Sequence, residues 1–286
     1  MKKLLVQLDG DPLPSVFDRV VAYDAGADDV LAYGGVTDAE VVPLVHGAIF
    51  TRGPKDLKNT AIFVGGSNLS RAAGVLDAVR KTFFGPMRVS LMFDPNGSNT
   101  TAAAAVVKLV GAVGGDMRGC RALVLAGTGP VGTRVAGLLL RLGAEVKITS
   151  RDAKRAAAAA EEIEAHFKGR VETVTFKDPE KTRPLLEWAQ VVMAAGPAGV
   201  QLVPKRLWAD LSHLRAVADV NAVPPLGIEG VEVMDDGVAR EGVSAFGALG
   251  IGGLKMKTHR AAIARLFESN DLVLDAEEIY DLAAGL

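Results

Sequence analysis

Two glycine-rich segments carry the residue types in this chain that could do chemistry. The first, GTGPVG at 127–132, has the spacing G-x-G-x-x-G, and the second, GALGIGGLKMKTHR at 247–260, leads from glycines to Lys255 and His259. A glycine-rich turn at the start of a helix places unpaired backbone N–H groups where they can bind a phosphate. Both segments are therefore candidate phosphate-binding loops. The strands and helices predicted around each segment indicate which of the two binds a phosphate.

The first segment stands in the context that dinucleotide binding requires. The apolar run RALVLA at 121–126 predicts a buried strand before it, and a helical pattern follows. Gly127 permits the tight turn, Gly129 lets the backbone approach a pyrophosphate, and Gly132 lets the helix pack on the strand. Thr128, Pro130 and Val131 complete the predicted cofactor loop. The alternative is a tight turn with a structural role only.

The end of the next strand indicates which dinucleotide binds. Chains that bind NAD usually place a carboxylate there, about 20 residues on, to hold the ribose 2′-OH. This chain has Ser150 and Arg151 at that point, followed by Lys154. A hydroxyl and cations suit a 2′-phosphate, which favours NADP. Asp152 is expected to cap the following helix, and the alternative for Arg151 is a solvated charge at a strand end.

Two later strand ends offer further cofactor contacts, because open parallel sheets bind ligands at the carboxyl ends of their strands. AAGPAG at 194–199 can line a cofactor with backbone alone, which makes Ala195 and Gly196 candidates. NAVPPLG at 221–227 makes Asn221 a candidate contact to nicotinamide or substrate. The alternative for this second segment is a rigid turn built on its two prolines.

Apolar runs alternate with helical patterns along the chain, which predicts an α/β protein with parallel sheets. In the first half, the predicted strands are KKLLVQL, DDVLAY, GAIFT, TAIFVGG and MRVSLMF. Helices are expected over 14–26, 68–84 and an alanine-rich stretch, which Asn and Ser of NGSNTT would cap; others run to His166, over 252–269 and after Asp275. The hinge candidate GGDMRGC at 114–120 divides the chain into two domains. We predict a Rossmann-type NADP domain over 117–246 and a smaller α/β substrate domain over 1–116, completed by C-terminal helices over 247–286.

Composition and charge exclude several other classes of protein. The 286 residues are 49% apolar and 23% charged, with a formal net charge of −2. That balance gives no indication of a nucleic-acid or membrane partner. The single cysteine, Cys120, and the lack of zinc-like Cys/His spacing predict neither a disulfide nor a metal site. Together with the shortness of every apolar run, these features predict a cytoplasmic protein.

Several unusual short segments of the sequence resemble segments of the NADP-dependent methylene-tetrahydromethanopterin dehydrogenases of methylotrophic bacteria. The resemblance covers nearly the whole chain. It is carried by PSVFD, IFTRG, AIFVGG, FFGP, NGSNTTAAA, VLAGTGPVG, NAVPPLGI, AFGALGIGGLK, HRAAIARLFES and DAEEIY.

The resemblance implies an oxidoreductase that converts methylene-tetrahydromethanopterin to the methenyl form while it reduces NADP, and some members of the family also accept methylene-tetrahydrofolate. It further implies a homotrimer whose active site is a crevice between the two domains, reached by a neighbouring subunit. The active-site phenylalanine and threonine of the family fall on Phe17 and Thr101, and its lysine and histidine on Lys255 and His259. One departure is Thr258, where a more apolar residue is expected.

The chemistry expected of this family fits a site with few titrating groups. Removal of hydride from a carbon between two pterin nitrogens leaves an amidinium-like cation, and no proton moves, so catalysis depends on positioning. A positive Lys255 next to that cation would raise the barrier. We therefore hypothesise that Lys255 contacts the pterin carbonyl or a water, or is partly deprotonated by burial. His259, four residues on, is either a site residue or a helix-packing residue.

The second glycine-rich segment is thus interpreted as a wall of the substrate site, with its glycines allowing a close approach of the helix start. Three other functions stay open at this point. They are a methylene-tetrahydrofolate dehydrogenase, another two-domain NADP dehydrogenase such as one acting on shikimate, and an NADP-binding redox sensor without turnover. The chain has no obvious catalytic lysine in its first domain of the kind that the shikimate enzymes use.

Overall fold

A computed structural model describes residues 1–286 and divides the chain into two compact units. Unit 1 consists of residues 1–100 and 256–286, and unit 2 of residues 101–255. Both boundaries fall inside helices, α4 (Ser98–Ala112) and α8 (Ala248–Arg265). The boundaries expected from the sequence, after residues 116 and 246, stay a prediction.

Unit 1 is built on a five-stranded parallel sheet in the order β12-β4-β3-β1-β2. Its strands are β1 (Leu4–Asp9), β2 (Asp29–Tyr33), β3 (Thr60–Gly65), β4 (Ser90–Phe93) and β12 (Val273–Leu274). Its helices are α1 (Val16–Asp24), α2 (Asp38–Phe50), α3 (Leu69–Thr82) and α9 (Ala276–Ala284). Alternate residues of β1 and β3, among them Leu8 and Ile62, pack with Val45 and Val79 of α2 and α3 into one apolar core.

Unit 2 is built on a seven-stranded sheet in the order β10-β11-β9-β8-β5-β6-β7. The strands are β5 (Arg121–Leu125), β6 (Glu145–Ser150), β7 (Glu172–Thr175), β8 (Val191–Ala194), β9 (Ala216–Asp219), β10 (Asp236–Arg240) and β11 (Val243–Phe246). The helices are α5 (Pro130–Arg141), α6 (Ala153–Phe167) and α7 (Arg183–Trp188). All pairs are parallel except β10–β11. The predicted α/β class with a Rossmann-type sheet is confirmed.

One predicted strand is wrong. GAIFT at 47–51 belongs to helix α2 and the turn after it. The helix begins at a capping box formed by Thr37 and Glu40, and its buried residues Val41, Val45 and Ile49 recur at helical spacing. The run GAIFT is too short to show that spacing, which starts six residues earlier in the sequence.

Later in the chain, both predicted acidic caps are confirmed, whereas helices α7 and α8 and one hairpin differ from the sequence prediction. Asp152 caps α6 and Asp275 caps α9, as predicted. Helix α8 begins at Ala248 rather than at 252, and the antiparallel hairpin of β10 and β11 has no counterpart among the predicted strands. None of the helices is long and apolar enough to cross a membrane.

Candidate active site

The predicted cofactor loop lies at the point where the strand order of unit 2 reverses. Strand β5, which precedes the loop, has β8 on one side and β6 on the other, and its last residue Leu125 pairs with Ala194 at the end of β8. In open α/β sheets, ligands bind at the carboxyl ends of the strands at this switch point. The GTGPVG loop therefore occupies the ligand-binding edge of the sheet.

The three glycines of the loop differ in what surrounds them. A Cβ on Gly127 would lie 2.8 Å from the Cβ of Ile148, and one on Gly132 would lie 2.7 Å from the Cα of Gly127. A Cβ on Gly129 would have nothing within 4 Å. Gly127 and Gly132 are thus required by packing between strand and helix, while Gly129 faces open space that a pyrophosphate would fill.

The first turn of α5 is suited to an anion. Gly129 is its N-cap residue with no side chain to accept a hydrogen bond from the first amides, and Pro130 follows at the first helical position. Unpaired N–H groups and the positive end of the helix dipole face the same place. Thr128 and Val131 are half-buried around it. The residues present therefore fit a dinucleotide pyrophosphate.

The side chains after β6 include exposed cations and a hydroxyl, which are compatible with a 2′-phosphate. Ser150 ends the strand, and its Oγ accepts the N–H of Asp152 at 3.1 Å. The Asp152 carboxylate accepts the N–H of Arg155 at 2.9 Å as the cap of α6. Arg151 and Lys154 are both exposed. The one carboxylate nearby is thus engaged in capping, and two cations are accessible to a phosphate.

The remaining predicted cofactor residues lie at the ends of β8 and β9. Ala195 donates its N–H to the carbonyl of Leu125 at 3.0 Å, and Gly196 packs closely on Leu202. Asn221 is buried, with its Nδ2 bonded to the carbonyl of Pro225 at 3.1 Å and its Oδ1 to the N–H of Val223 at 2.9 Å. The amide of Asn221 therefore holds its own proline-rich turn together.

A buried carboxylate that the sequence analysis missed anchors the same turn. Asp219, the last residue of β9, accepts N–H bonds from Asn221 and Ile228, each at 2.9 Å. Burial raises the pKa of Asp219, and the backbone N–H groups of Asn221, Ile228 and Gly227 oppose that shift. Burial likewise raises the pKa of the Cys120 thiol, which lowers the fraction of thiolate at neutral pH.

In unit 1, the predicted residues Phe17 and His259 lie together. His259 is fully buried in α8. Its ring stacks on Phe63 at a centroid distance of 5.9 Å and lies 6.1 Å from the ring of Phe17. Phe17 itself is 47% exposed. His259 thus supports, from inside, an aromatic surface that Phe17 presents to solvent.

Asp18 completes this cluster and was also missed. Its Oδ1 lies 3.9 Å from Nε2 of His259, and its side chain is 10% exposed. No spacing rule distinguishes Asp18 from any other acid in a first helical turn, whereas its neighbour Phe17 was found through the resemblance. Phe63 gave no signal either, because a phenylalanine in a buried strand is ordinary core.

The start of α4 is held in a way that the sequence analysis did not anticipate. Asp94, fully buried after β4, accepts the N–H groups of Asn99 and Thr100 at 2.8 and 3.1 Å and the hydroxyl of Thr100 at 2.7 Å. Asn96 and Ser98 of NGSNTT do not fill this role, since Asn96 sits in the preceding turn with φ of 54° and the buried Ser98 hydroxyl makes no hydrogen bond. Thr101, the predicted site residue, follows half-buried.

Two glycines of the second segment, Gly247 and Gly250, have a packing role that the sequence did not predict. A Cβ on Gly247 would lie 1.9 Å from the carbonyl oxygen of Glu232, and one on Gly250 would lie 1.9 Å from that of Asp235. These glycines let the helix start touch the backbone before β10. Gly252 and Gly253 have nothing within 4 Å of a Cβ, and Lys255 is half-buried one turn further on.

Comparison with solved structures shows the fold. Shikimate 5-dehydrogenase from Listeria monocytogenes is 14% identical with a TM-score of 0.57, and the match covers 98% of this chain and 96% of that one. The 5-ketofructose reductase of Gluconobacter is 16% identical with a TM-score of 0.55, covering 100% and 99%. At these identities, the similarity establishes the two-domain α/β fold alone.

Sequence comparison shows the family. The model for the N-terminal region of methylene-tetrahydromethanopterin dehydrogenase matches residues 16–96. A protein of Methylorubrum extorquens named bifunctional protein MdtA is 52% identical over 282 residues, 99% of this chain and 98% of that protein. The NAD(P)-dependent methylenetetrahydromethanopterin dehydrogenase of the same organism is 34% identical over 281 residues, 95% of this chain and 94% of that protein. The chain therefore belongs to the methylene-tetrahydromethanopterin dehydrogenase family.

Proposed function

We propose that this protein transfers hydride from methylene-tetrahydromethanopterin to NADP, giving the methenyl form and NADPH. The observation that carries the proposal is the open space at Gly129, beside uncapped amides of α5, in a chain similar over nearly its full length to a dehydrogenase of this substrate. A pyrophosphate fits that space, and the exposed cations Arg151 and Lys154 are then available to bind a 2′-phosphate.

On the cofactor side, backbone carries most of the proposed binding. The loop from Gly127 to Gly132 holds the pyrophosphate, and Ser150, Arg151 and Lys154 hold the 2′-phosphate. Ala195 and Gly196 line the nicotinamide end with main chain. Because the Asn221 amide is engaged within its own turn, Asn221 contributes by shaping that turn.

On the substrate side, the proposed residues are Phe17, Thr101, Lys255 and His259. The bound NADP supplies the hydride acceptor. Phe17 packs on the pterin, and His259 keeps the Phe17 ring in place from behind. Thr101 donates or accepts one hydrogen bond, and Lys255 anchors a pterin carbonyl. None of these roles moves a proton, which agrees with the hydride chemistry.

The first test measures reduced nicotinamide absorbance with methylene-tetrahydromethanopterin and with methylene-tetrahydrofolate, each paired with NADP and with NAD. We expect the highest kcat/KM for the methanopterin substrate with NADP. A higher value with the folate substrate would make the protein a methylene-tetrahydrofolate dehydrogenase. Cofactor binding without reduction by either pterin would contradict an enzymatic function and favour a redox sensor.

The second test replaces the cations one at a time. Arg151→Ser is expected to raise the KM for NADP by about 10-fold or more while the KM for NAD changes little, since one charge-assisted contact is lost. Arg170→Ser is the matched control. Arg170 is also exposed, but it precedes the amino end of β7, whereas Arg151 follows the carboxyl end of the neighbouring parallel strand β6. Equal effects of Arg151→Ser on both cofactors would rule out a 2′-phosphate contact.

The third test addresses Lys255. Lys255→Met should weaken pterin binding and leave the single-turnover rate of hydride transfer at saturating substrate unchanged, if the ammonium group anchors the ring. A lower rate at unchanged affinity would contradict anchoring. The homotrimer and the cytoplasmic location implied by the resemblance stay predictions, and sedimentation of the purified protein checks the first of them.

A further inference from the structure

Asp18 has a position that neither helix formation nor solubility explains. It lies in the first turn of α1, where its N–H bonds to the Oγ of Ser15 at 3.2 Å. An acid there interacts favourably with the helix dipole even when fully solvated. Here the side chain is instead 10% exposed and lies against the fully buried His259. Burying a carboxylate is costly unless it is paired, and the contact with His259 that offsets this cost also fixes the Asp18 carboxylate next to Phe17.

Side chains of strand β1 hydrogen-bond to the backbone at the start of α1, next to Asp18. Ser15, the cap of α1, donates its N–H to Oδ2 of Asp9 at 3.1 Å, and its carbonyl accepts from Nε2 of Gln7 at 3.3 Å. Gln7 and Asp9 alternate on one face of β1, and Gln7 pairs with Phe63, whose ring stacks on His259. The first turn of α1, with Phe17 and Asp18, is therefore held rigidly on the sheet.

The proposed reaction moves a positive charge onto the pterin. The C–H bond of the methylene carbon breaks, and its electron pair leaves with the hydrogen as hydride for the nicotinamide C4. The nicotinamide ring loses its positive charge, and the donor carbon gains one, shared with the two adjacent nitrogens. A fixed negative charge near Phe17 stabilises that product and the transition state that precedes it.

We propose that Asp18 is this negative charge, a residue that compensates the cation formed on the pterin. The inference rests on the proposed function and adds a residue to its substrate side. Asp18 is adjacent in sequence to Phe17, which packs on the pterin, and its burial keeps the carboxylate in a region where charges interact more strongly than in water.

The test compares the binding of the two pterins, which carry the same tail and differ in charge at one carbon. Enzyme without cofactor is titrated with methenyl- and with methylene-tetrahydromethanopterin. In Asp18→Asn, the Kd of the cationic methenyl form is expected to rise by about 10-fold or more, the effect of one charge several ångströms away at an effective dielectric of about 20. The Kd of the methylene form should change by less than about 3-fold.

Two further variants separate charge from structure. Asp24→Asn removes an exposed carboxylate from the other end of α1 and should leave both Kd values unchanged. Asp18→Glu keeps the charge and should bind the methenyl form more tightly than Asp18→Asn does. Thermal unfolding and NADP titration of each variant check that the fold is intact. A purely structural role for Asp18 would not change the ratio of the two pterin Kd values.

The remaining outcomes overturn the inference in distinguishable ways. Equal weakening of both pterins by Asp18→Asn would show that Asp18 recognises the pterin ring by hydrogen bonding and does not compensate a charge. Unchanged binding of both pterins would show that Asp18 has no part in pterin binding. If the wild-type protein binds neither pterin, the proposed function falls together with this inference, whereas an unchanged ratio in a protein that binds both overturns the role of Asp18 alone.

Discussion

The helices that follow β5 and β4 begin in opposite ways. Helix α5 starts at Gly129, which offers no side chain to its first amides. Helix α4 starts after Asp94, a fully buried carboxylate that accepts two backbone N–H groups and one hydroxyl. Both helices stand at the carboxyl end of a parallel sheet, where the topology alone would place a ligand.

This difference shows that two helix starts in equivalent positions of a sheet can differ in anion binding. The residue that caps the first amides determines whether those amides are available to an anion. A carboxylate already bound to the first amides of α4 fills the place that a phosphate would take and repels its charge. The amides of α5 keep that capacity. In the proposed function the two units therefore contribute differently: the backbone amides of α5 in unit 2 bind phosphate, whereas unit 1 contributes side chains such as Phe17.

The largest expected effect comes from removing the cap of α4. Asp94→Ala leaves two buried N–H groups and the Thr100 hydroxyl without their acceptor, which should lower the free energy of unfolding by about 3 kcal/mol or more. Urea unfolding measures the change. Asp77→Ala, an exposed acid on α3, is the control. A loss below about 1 kcal/mol would mean that water or a neighbouring side chain replaces the carboxylate.

A smaller effect is expected at the closest contact in the α5 loop. Gly132→Ala places a methyl group 2.7 Å from the Cα of Gly127, so strand and helix must separate slightly. We expect a loss of about 1–3 kcal/mol in the free energy of unfolding, together with weaker NADP binding. Denaturant unfolding and a cofactor titration check both. Normal affinity in a destabilised variant would show that the loop geometry tolerates the shift.

The smallest effect on stability, and the sharpest test of the comparison, is at Gly129. Gly129→Asp would give α5 the kind of cap that α4 has, which should change the free energy of unfolding by only a few tenths of a kcal/mol. Affinity for NADP should fall by about 100-fold, because the carboxylate competes with the pyrophosphate and repels it. Fluorescence titration with NADPH measures the loss.

Gly129→Asn provides the matched neutral control. It introduces a similar cap of nearly the same size without the charge, so its effect on NADP affinity should be clearly smaller than that of Gly129→Asp. Equal losses in the two variants would show that space at Gly129 matters and that the anion-binding capacity of α5 does not. Retained affinity in the Asp variant would contradict the assignment of the phosphate site.

The sequence was sufficient to predict the α/β class and the strand and helix on either side of GTGPVG, because both depend on local patterns. GTGPVG after a buried strand fixes the turn, and strand ends such as Ser150 follow from the apolar runs. It was insufficient for GAIFT, where five apolar-rich residues fit a strand as well as one side of α2. Short runs lose the periodicity that separates the two.

Contacts between distant parts of the chain were harder to predict, for a different physical reason. Asp18 meets His259 across 241 positions of sequence, and Asn99 meets Asp275 across 176. No local spacing encodes contacts of that kind. Gly247 and Gly250 show the same limit, since their glycine requirement comes from the backbone of Glu232 and Asp235 and not from a ligand. The resemblance supplied Phe17 and His259, but not the acids around them.

The order of the chain through the two units has a consequence for synthesis on the ribosome. Unit 2 is one continuous segment, whereas unit 1 needs β12 and α9 from the end of the chain to complete its sheet. Asp275, which caps α9 and accepts from Nδ2 of Asn99 at 2.9 Å, is made long after its partner. Unit 2 can therefore fold on the ribosome before the residues that complete the sheet of unit 1 have been made.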